Sequence, residues 1–284
     1  MKSLNQTRAL ICAVKAARAA GRLMRANSHR PKHVNVVDAH DIKLELDVRS
    51  QKLIEKILRT AFPQIALLGE EGVSGDQNAA YRWVVDPIDG TVNYFFGIPH
   101  AAVSIALQSN RERPPVASDR KNTPSRGQNQ ATRHPSPVTL LGVIYDPFTD
   151  ELWTVVRGGP TRLNGRIVRV SRRARLDEAV IAMGFSKSRT NLKKSLPHLN
   201  RLVRRVKKLR ILGSAALELA YVASGRLDAY IERSINLWDI AAGALMVESS
   251  GGEFYTQPAP GGKLRMVADN GRLRRKLQVE NLLK

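Results

Sequence analysis

Trp83-Val84-Val85-Asp86-Pro87-Ile88-Asp89-Gly90-Thr91-Val92-Asn93-Tyr94 is an apolar run that stops at two carboxylates three positions apart. Tyr81 to Val85 is aromatic and β-branched and has the length of a buried strand. Pro87 has no N–H to give to a ladder, so the strand is expected to end at Asp86. Gly90 permits a tight turn, and Thr91 to Asn93 open the next element with N–H groups facing whatever Asp86 and Asp89 hold. Two carboxylates beside free amides suit a cation that bridges to a phosphate. The same string is also ordinary turn chemistry, so its company in the chain decides between the two readings.

That company is acidic. Leu67-Leu68-Gly69-Glu70-Glu71-Gly72 ends a second apolar run in acids, and Asn236 to Gly243 puts Asp239 at a helix start. Asp41 and Asp47 belong to a third acidic stretch. The chain carries 46 Lys and Arg against 25 Asp and Glu. Acids gathered at element ends in so basic a chain are not solvated decoration.

Gly69-Glu70-Glu71, Asp86-Pro87-Ile88-Asp89-Gly90-Thr91 and Trp238-Asp239-Ile240-Ala241-Ala242-Gly243 resemble, in order and spacing, the signature segments of the inositol monophosphatase family, the Mg²⁺-dependent, lithium-sensitive sugar and polyol phosphatases. Leu212 to Leu217, followed by Ala223 to Tyr230, is similar to the family's substrate-side stretch. The resemblance runs from about residue 5 to about residue 280, apart from one insertion. It implies a layered α-β-α-β-α sandwich of the inositol monophosphatase and fructose-1,6-bisphosphatase type, built as a single phosphatase domain over residues 1–284.

The resemblance also implies roles, residue by residue. Glu70, Asp86 and the main-chain carbonyl of Ile88 would hold a first Mg²⁺, Asp86, Asp89 and Asp239 a second, and Glu70 with Asp47 a third, two to three ions per subunit. Mg²⁺ prefers hard oxygens and keeps waters, and paired ions can clamp a phosphate. An activated water would attack phosphorus in line, helped by Glu70 and by Thr91 paired to Asp47, without a phosphoenzyme. The amides of Gly90 and Thr91 would grip the phosphate. Gly213, Ser214 and Ala215 would wall the pocket, and Glu232 together with Asp239 would meet the alcohol half of the substrate. The stretch before Asp47 departs from the family pattern, with Lys43 and Leu44 in place of Val and Thr. A helix N-cap is the structural alternative for Asp47, and a surface ion pair the alternative for Glu232. Trp238 reads as core packing, Arg210 fits a family basic position and a solvent-exposed one equally, and the six histidines receive no role.

The expected activity is hydrolysis of inositol monophosphate or a related polyol or sugar phosphate, in a homodimer. Fructose 1,6-bisphosphate and histidinol phosphate stay open as substrates. The net charge of +21 raises a reading from another class, a non-catalytic nucleic-acid-associated protein, or nonspecific nucleic-acid contact by the enzyme. Aromatic residues make up 5% of the chain and are not interleaved with its basic runs, which argues against base stacking. One such run, Lys187 to Arg210, holds ten Lys and Arg and no acid. A lone Cys12 points to a reducing, cytoplasmic setting, and no apolar run is long enough for a membrane span.

Elsewhere, apolar spacing predicts helices over Leu4–Met24, from Asp47 to Pro63, over Asn191–Lys208, Gly213–Val222, Asp239–Glu248 and Gly271–Leu283. Strands are expected at Ile65–Leu68, His100–Leu107 and Leu227–Ile231, with a hairpin of Val138–Tyr145 and Glu151–Val156. Ser109 to Pro137, rich in Pro, Arg, Asn, Gln and Ser, reads as a flexible insertion.

Overall fold

The computed structural model describes residues 4–32, 34–37, 42–110, 137–185 and 189–277. The chain opens with α1 (Gln6–Asn27), β1 (Val34–Val37), β2 (Ile42–Leu44), α2 (Glu45–Ala61), β3 (Ala66–Gly69), β4 (Gly72–Ser74), β5 (Tyr81–Asp89) and α3 (Thr91–Phe95). It continues through β6 (Ala102–Ser109), β7 (Val138–Asp146), β8 (Glu151–Val156), β9 (Arg162–Leu163), β10 (Arg166–Ile167) and β11 (Val180–Met183). Then come α4 (Arg189–Val203), β12 (Lys208–Arg210), α5 (Ala215–Ala223), β13 (Ala229–Ile235), α6 (Leu237–Ser249), β14 (Glu253–Pro258), β15 (Leu264–Asp269) and α7 (Arg274–Leu277).

Strand alternation sorts the side chains into layers. On β5, Trp83 and Val85 face a core with α1 and α2, while Val84 between them faces α5 and α6. On β13, Tyr230 joins that central core and Ala229 and Ile231 join an outer one with Leu202 of α4 and Leu277 of α7. The layers are therefore α1 and α2, an eight-stranded sheet, α5 and α6, a five-stranded sheet, and α4 with α7. This is the α-β-α-β-α sandwich expected from the sequence. The eight-stranded sheet runs β10-β9-β8-β7-β6-β5-β3-β4 and the five-stranded sheet β12-β11-β13-β15-β14.

Local chemistry explains the main elements. Asn5 caps α1 by accepting the Arg8 N–H at 2.9 Å, and the buried stripe of Ala9, Ala13, Ala16, Ala17 and Ala20 lets the helix lie close to the sheet. Trp83 is fully buried and meets Phe62 edge to face, with ring centroids 6.0 Å apart. Asn164 and Gly165 turn β9 into β10 with φ of 47° and 80°, the hairpin geometry expected of an Asn-Gly pair.

Two expectations need correction. β5 does not stop at Asp86 but runs through Pro87 to Asp89. Asp86 pairs with Ser104 and Asp89 with Ala102, and the register shifts between them, so the missing N–H of Pro87 falls within a bulge. Ser109 belongs to β6 rather than to the insertion, whose residues 111–136 lie outside the described residues. The last helix is described only as α7, and the expected extension over 278–283 lies outside the described residues, as do Asp41 and Lys187.

Candidate active site

Four chain segments deliver the site. β3 and β5 run parallel with Gly69 opposite Val85, and the Glu70 N–H donates to the Val85 carbonyl at 3.2 Å, so Glu70 emerges beside Asp86. The bulge at the end of β5 turns Asp86 and Asp89 into one cleft, and the Ile88 N–H donates to Asp86 Oδ1 at 3.0 Å. Gly90 then takes φ of +91°, where a side chain would be strained, and a Cβ there would lie 3.0 Å from the His100 carbonyl oxygen and 3.1 Å from that of Gly213. From the other side α6 packs on β5 and β6, and its third residue, Asp239, accepts the Asn236 N–H at 2.9 Å.

Asp89 also organises α5. Its carboxylate accepts from the Ser214 hydroxyl at 2.5 Å, the Ala216 N–H at 2.7 Å and the Ala215 N–H at 3.2 Å. An acid from β5 thus caps a helix more than a hundred residues away, favourably placed against its positive end. The Asn93 side chain fastens the same junction by donating to the carbonyls of Leu212 at 2.7 Å and His100 at 2.9 Å.

Gathering these acids away from water raises their proton affinity. Asp86, 2% exposed, is held well above the usual carboxylate range by burial first and then by Glu70, Asp89 and Asp239. Asp89 is pushed up to about 6 by burial, against the pull of its bonds to Ser214, Ala216 and Ala215. Asp239 rises to about 7, again by burial and then by Asp89. Asp239 therefore favours the protonation of Asp86 in the metal-free cleft.

Crowded, mutually repelling carboxylate oxygens are the donors that a hard divalent cation relieves. Glu70, Asp86, the Ile88 carbonyl, Asp89 and Asp239 could hold such ions. Among the described residues no three His, Cys, Asp or Glu side chains already form a closed ligating group.

The cleft, about 610 Å³, is lined by all of the site residues read from the sequence except Asp47: Glu70, Asp86, Ile88, Asp89, Gly90 and Thr91 on one side, and Gly213, Ser214, Ala215, Glu232 and Asp239 on the other. Asp47 is buried at the third position of α2 and accepts the Leu44 N–H at 2.8 Å, so Leu44 rather than Asp47 is the N-cap residue. The burial of Tyr94 and, second to it, the charge of Asp47 push the Tyr94 hydroxyl up to about 12. The Thr91 hydroxyl donates to the Ile88 carbonyl at 2.9 Å, where the sequence resemblance implies a pairing with Asp47.

Glu232 is no surface acid. It is 8% exposed, and burial pushes its carboxyl up to about 7. Arg210 is exposed and bonds the Leu209 carbonyl, and Trp238 packs against the central core. Among the lining residues that the sequence reading did not single out are Gly184, Glu218 and Lys263, while Tyr230 entered it only as the end of the Ala223 to Tyr230 stretch. Lys263 is the one Lys or Arg among the described lining residues, and its charge favours the ionised forms of Glu232 and Asp239. Glu218 left a trace in the sequence, as a lone acid in the apolar run Ala215 to Ala220.

The model of the inositol monophosphatase family matches residues 5–118 and 136–277. The chain belongs to that family. Inositol monophosphatase relatives include an inositol-1-monophosphatase of Rhizobium meliloti, 38% identical over 78% of this chain and 74% of the relative. A protein of Xylella fastidiosa named Nus factor SuhB is 38% identical over 84% of this chain and 78% of its own. Among solved structures, the extragenic suppressor protein suhB of Bartonella henselae superposes with a TM-score of 0.80 at 33% identity, covering 96% of this chain and 97% of that one. The inositol monophosphatase of Anabaena gives a TM-score of 0.77 at 31% identity, over 98% and 96% of the two chains. An inositol-monophosphatase-type phosphatase, of a family that is metal-dependent, is what this chain is. No helix of the described residues is long and apolar enough to cross a membrane.

Proposed function

We propose that the protein is a Mg²⁺-dependent phosphomonoesterase acting on inositol monophosphate or a related polyol or sugar phosphate. The observation that carries this reading is the convergence of Glu70, Asp86, Asp89 and Asp239 with the Gly90–Thr91 backbone in one cleft. Two Mg²⁺ would be held by Glu70, Asp86, the Ile88 carbonyl, Asp89 and Asp239, and a third, weaker one by Glu70 and Asp47. When bound, Mg²⁺ supplies Lewis-acid stabilisation of the phosphate and lowers the pKa of water.

The chain's own groups do the rest. The N–H groups of Gly90 and Thr91 orient the phosphate oxygens so that the bond to the alcohol lies in line with the incoming water. The Glu70 carboxylate takes the proton of the attacking water, with Thr91 and Asp47 placing that water. A P–O bond forms to the water oxygen as the bond to the alcohol breaks, and the alkoxide leaves with a proton drawn from solvent. Glu232, Asp239 and the Gly213–Ala215 wall accept and orient the hydroxyls of the departing alcohol. A homodimer belongs to the same reading and is measured by light scattering after gel filtration.

The test is phosphate release by the purified protein from inositol 1-phosphate, fructose 1,6-bisphosphate and histidinol phosphate, with Mg²⁺ and with chelator. Turnover that needs Mg²⁺ supports the proposal and its preferred substrate names the class; a folded protein that releases phosphate from none of them sinks it. A second reading, a nucleic-acid-associated role, draws on the charge of +21 and on relatives named Nus factor SuhB. Backbone binding of that kind must weaken steeply with salt, and affinity that stays flat across a salt series rules it out.

A further inference from the structure

Two basic stretches that lie apart in the chain meet on one face of the folded protein. Leu202 of α4 and Leu277 of α7 pack into the same core cluster, against which Leu209 of β12 also packs, so both helices cover the outer side of the five-stranded sheet next to its β12 edge. Every described Lys and Arg side chain from Lys193 to Arg210 and from Arg272 to Lys276 is exposed, and neither stretch contains an acid. Arg204, Arg205, Lys207, Lys208, Arg272 and Arg275 form no ion pair with any described residue. At the margin of this face, Asp177 and Glu178 are paired with Arg175, and Glu253 accepts the Tyr255 hydroxyl. The opposite outer layer mixes its signs. There Glu45 and Glu55 are matched to Arg49 and Arg59 one turn along α2, and Asp150 takes Arg18 of α1.

The interior does not cancel the charge of the α4–α7 face. Alternation along β13 sends Glu232 into the cleft and Arg233 to the other side of the sheet, where Arg233 is 6% exposed and donates to His198 Nε2 of α4 at 2.9 Å. A guanidinium has only donors, so the ring nitrogen it meets carries no proton, and the Arg233 charge adds to the field above α4. An unpaired, single-signed surface of guanidinium and ammonium groups is matched by phosphate oxygens.

Shape and the remaining side chains narrow the occupant. α4 has 15 residues and so is about 22 Å long, enough to pass about six phosphates of one duplex strand at roughly 3.4 Å each. The Arg274 guanidinium covers the Tyr255 ring at 4.8 Å, which leaves that aromatic no face for a base and favours contact with the backbone. A membrane surface fits less well. Leu199 and Leu202 of α4 are spent on the core, and Leu196 and Val203, about half exposed, offer far less apolar area than an interfacial helix buries.

We propose that the face formed by α4, β12 and α7 is a contact surface for the phosphate backbone of a nucleic acid. This placement rests on the second reading given above and deepens it. It puts the nucleic acid on the side of β13 away from the cleft, so that binding and phosphate ester hydrolysis do not compete for one site.

Fluorescence anisotropy with a labelled duplex of about 20 base pairs, repeated across a salt series, tests the placement. One variant carries Arg204→Glu, Lys208→Glu and Arg275→Glu on this face. A control carries Lys15→Glu, Arg22→Glu and Lys56→Glu, exposed positions of the α1–α2 layer, and changes net charge equally. Loss of three phosphate contacts should flatten the slope of log K against log salt by about 3 and weaken binding roughly tenfold or more in the first variant. The control should keep the wild-type slope, and Mg²⁺-dependent phosphatase activity should not change in either. Equal weakening of both variants would overturn the proposal, since net charge rather than this face would then be responsible. A first variant that binds like wild type would overturn it too, and both of these results leave the nucleic-acid reading standing. Wild-type binding that is absent, or flat across the salt series, refutes that reading itself. Wild type held by anionic phospholipid vesicles but not by the duplex would overturn the proposal in favour of a membrane surface. If circular dichroism shows the first variant unfolded, Gln at the same three positions removes the charges without reversing them and should lose the same slope.

Discussion

Replacing Asp89 by Asn should change the stability of the metal-free protein in opposite directions at low and at high pH. Asp89 in the folded state binds its proton more tightly than in the unfolded chain, rising from 3.8 to about 6. A carboxyl shifted upward contributes stability that is complete below its unfolded value and is lost as pH rises through its folded value. At about 1.4 kcal/mol for each pH unit, the loss amounts to about 3 kcal/mol once Asp89 is ionised. Asn removes that penalty but gives up part of the cap on α5, since its amide cannot accept from both Ala215 and Ala216, at a cost of about 1 kcal/mol. In chelator, urea denaturation should therefore find the variant less stable by about 1 kcal/mol near pH 3, below the unfolded value, and more stable by about 2 kcal/mol near pH 8. Saturating Mg²⁺ should reverse the order at the higher pH, because only the wild type gains binding energy. A variant that is less stable at every pH, with or without Mg²⁺, would refute the electrostatic reasoning and leave Asp89 as a helix cap.

Other consequences follow from the same geometry. Because burial and crowding hold Asp86 well above the usual carboxylate range and Asp239 at about 7, Mg²⁺ binding near neutral pH should expel protons; calorimetry in two buffers of different ionisation enthalpy should give different apparent heats, and identical heats would contradict the assignment. Gly184→Ala drives a methyl into Glu232 Oε2, so it should raise KM for a polyol phosphate while lowering stability by about 1–3 kcal/mol, read by kinetics and urea titration. Trp83→Ala removes a fully buried ring and should cost about 3–5 kcal/mol in the same titration.

The sequence carried the metal side of the site better than the alcohol side, for a physical reason. Glu70, Asp86, Asp89 and Asp239 sit at the ends of a strand, a bulge and a helix, where a change from apolar to acidic residues is visible in the chain itself. Gly184, Tyr230 and Lys263 come from three different elements of the five-stranded sheet and its loops, and only tertiary pairing of β11, β13 and β15 brings them together. Burial of Glu232 was likewise invisible, since it depends on Gly184 making room across the sheet. The layered fold was legible through the family resemblance, while helical spacing recovered α1, α2, α5 and α6. Strands β14 and β15 were missed because their residues, from Glu253 to Pro258 and from Leu264 to Asp269, mix polar side chains into a sheet that is covered on both faces only in part. Pro87 misled the reading of β5 because a bulge absorbs the donor that a regular ladder would have required.

The central claim is that the cluster around Asp86 makes this chain a metal-dependent phosphatase. Phosphate release from inositol 1-phosphate by the wild type and by Asp86→Asn, each with Mg²⁺ and with chelator and each shown to be folded by circular dichroism, tests it most directly. The account expects turnover only for the wild type with Mg²⁺. Turnover that survives chelation, or an Asp86→Asn protein as active as the wild type, would contradict it.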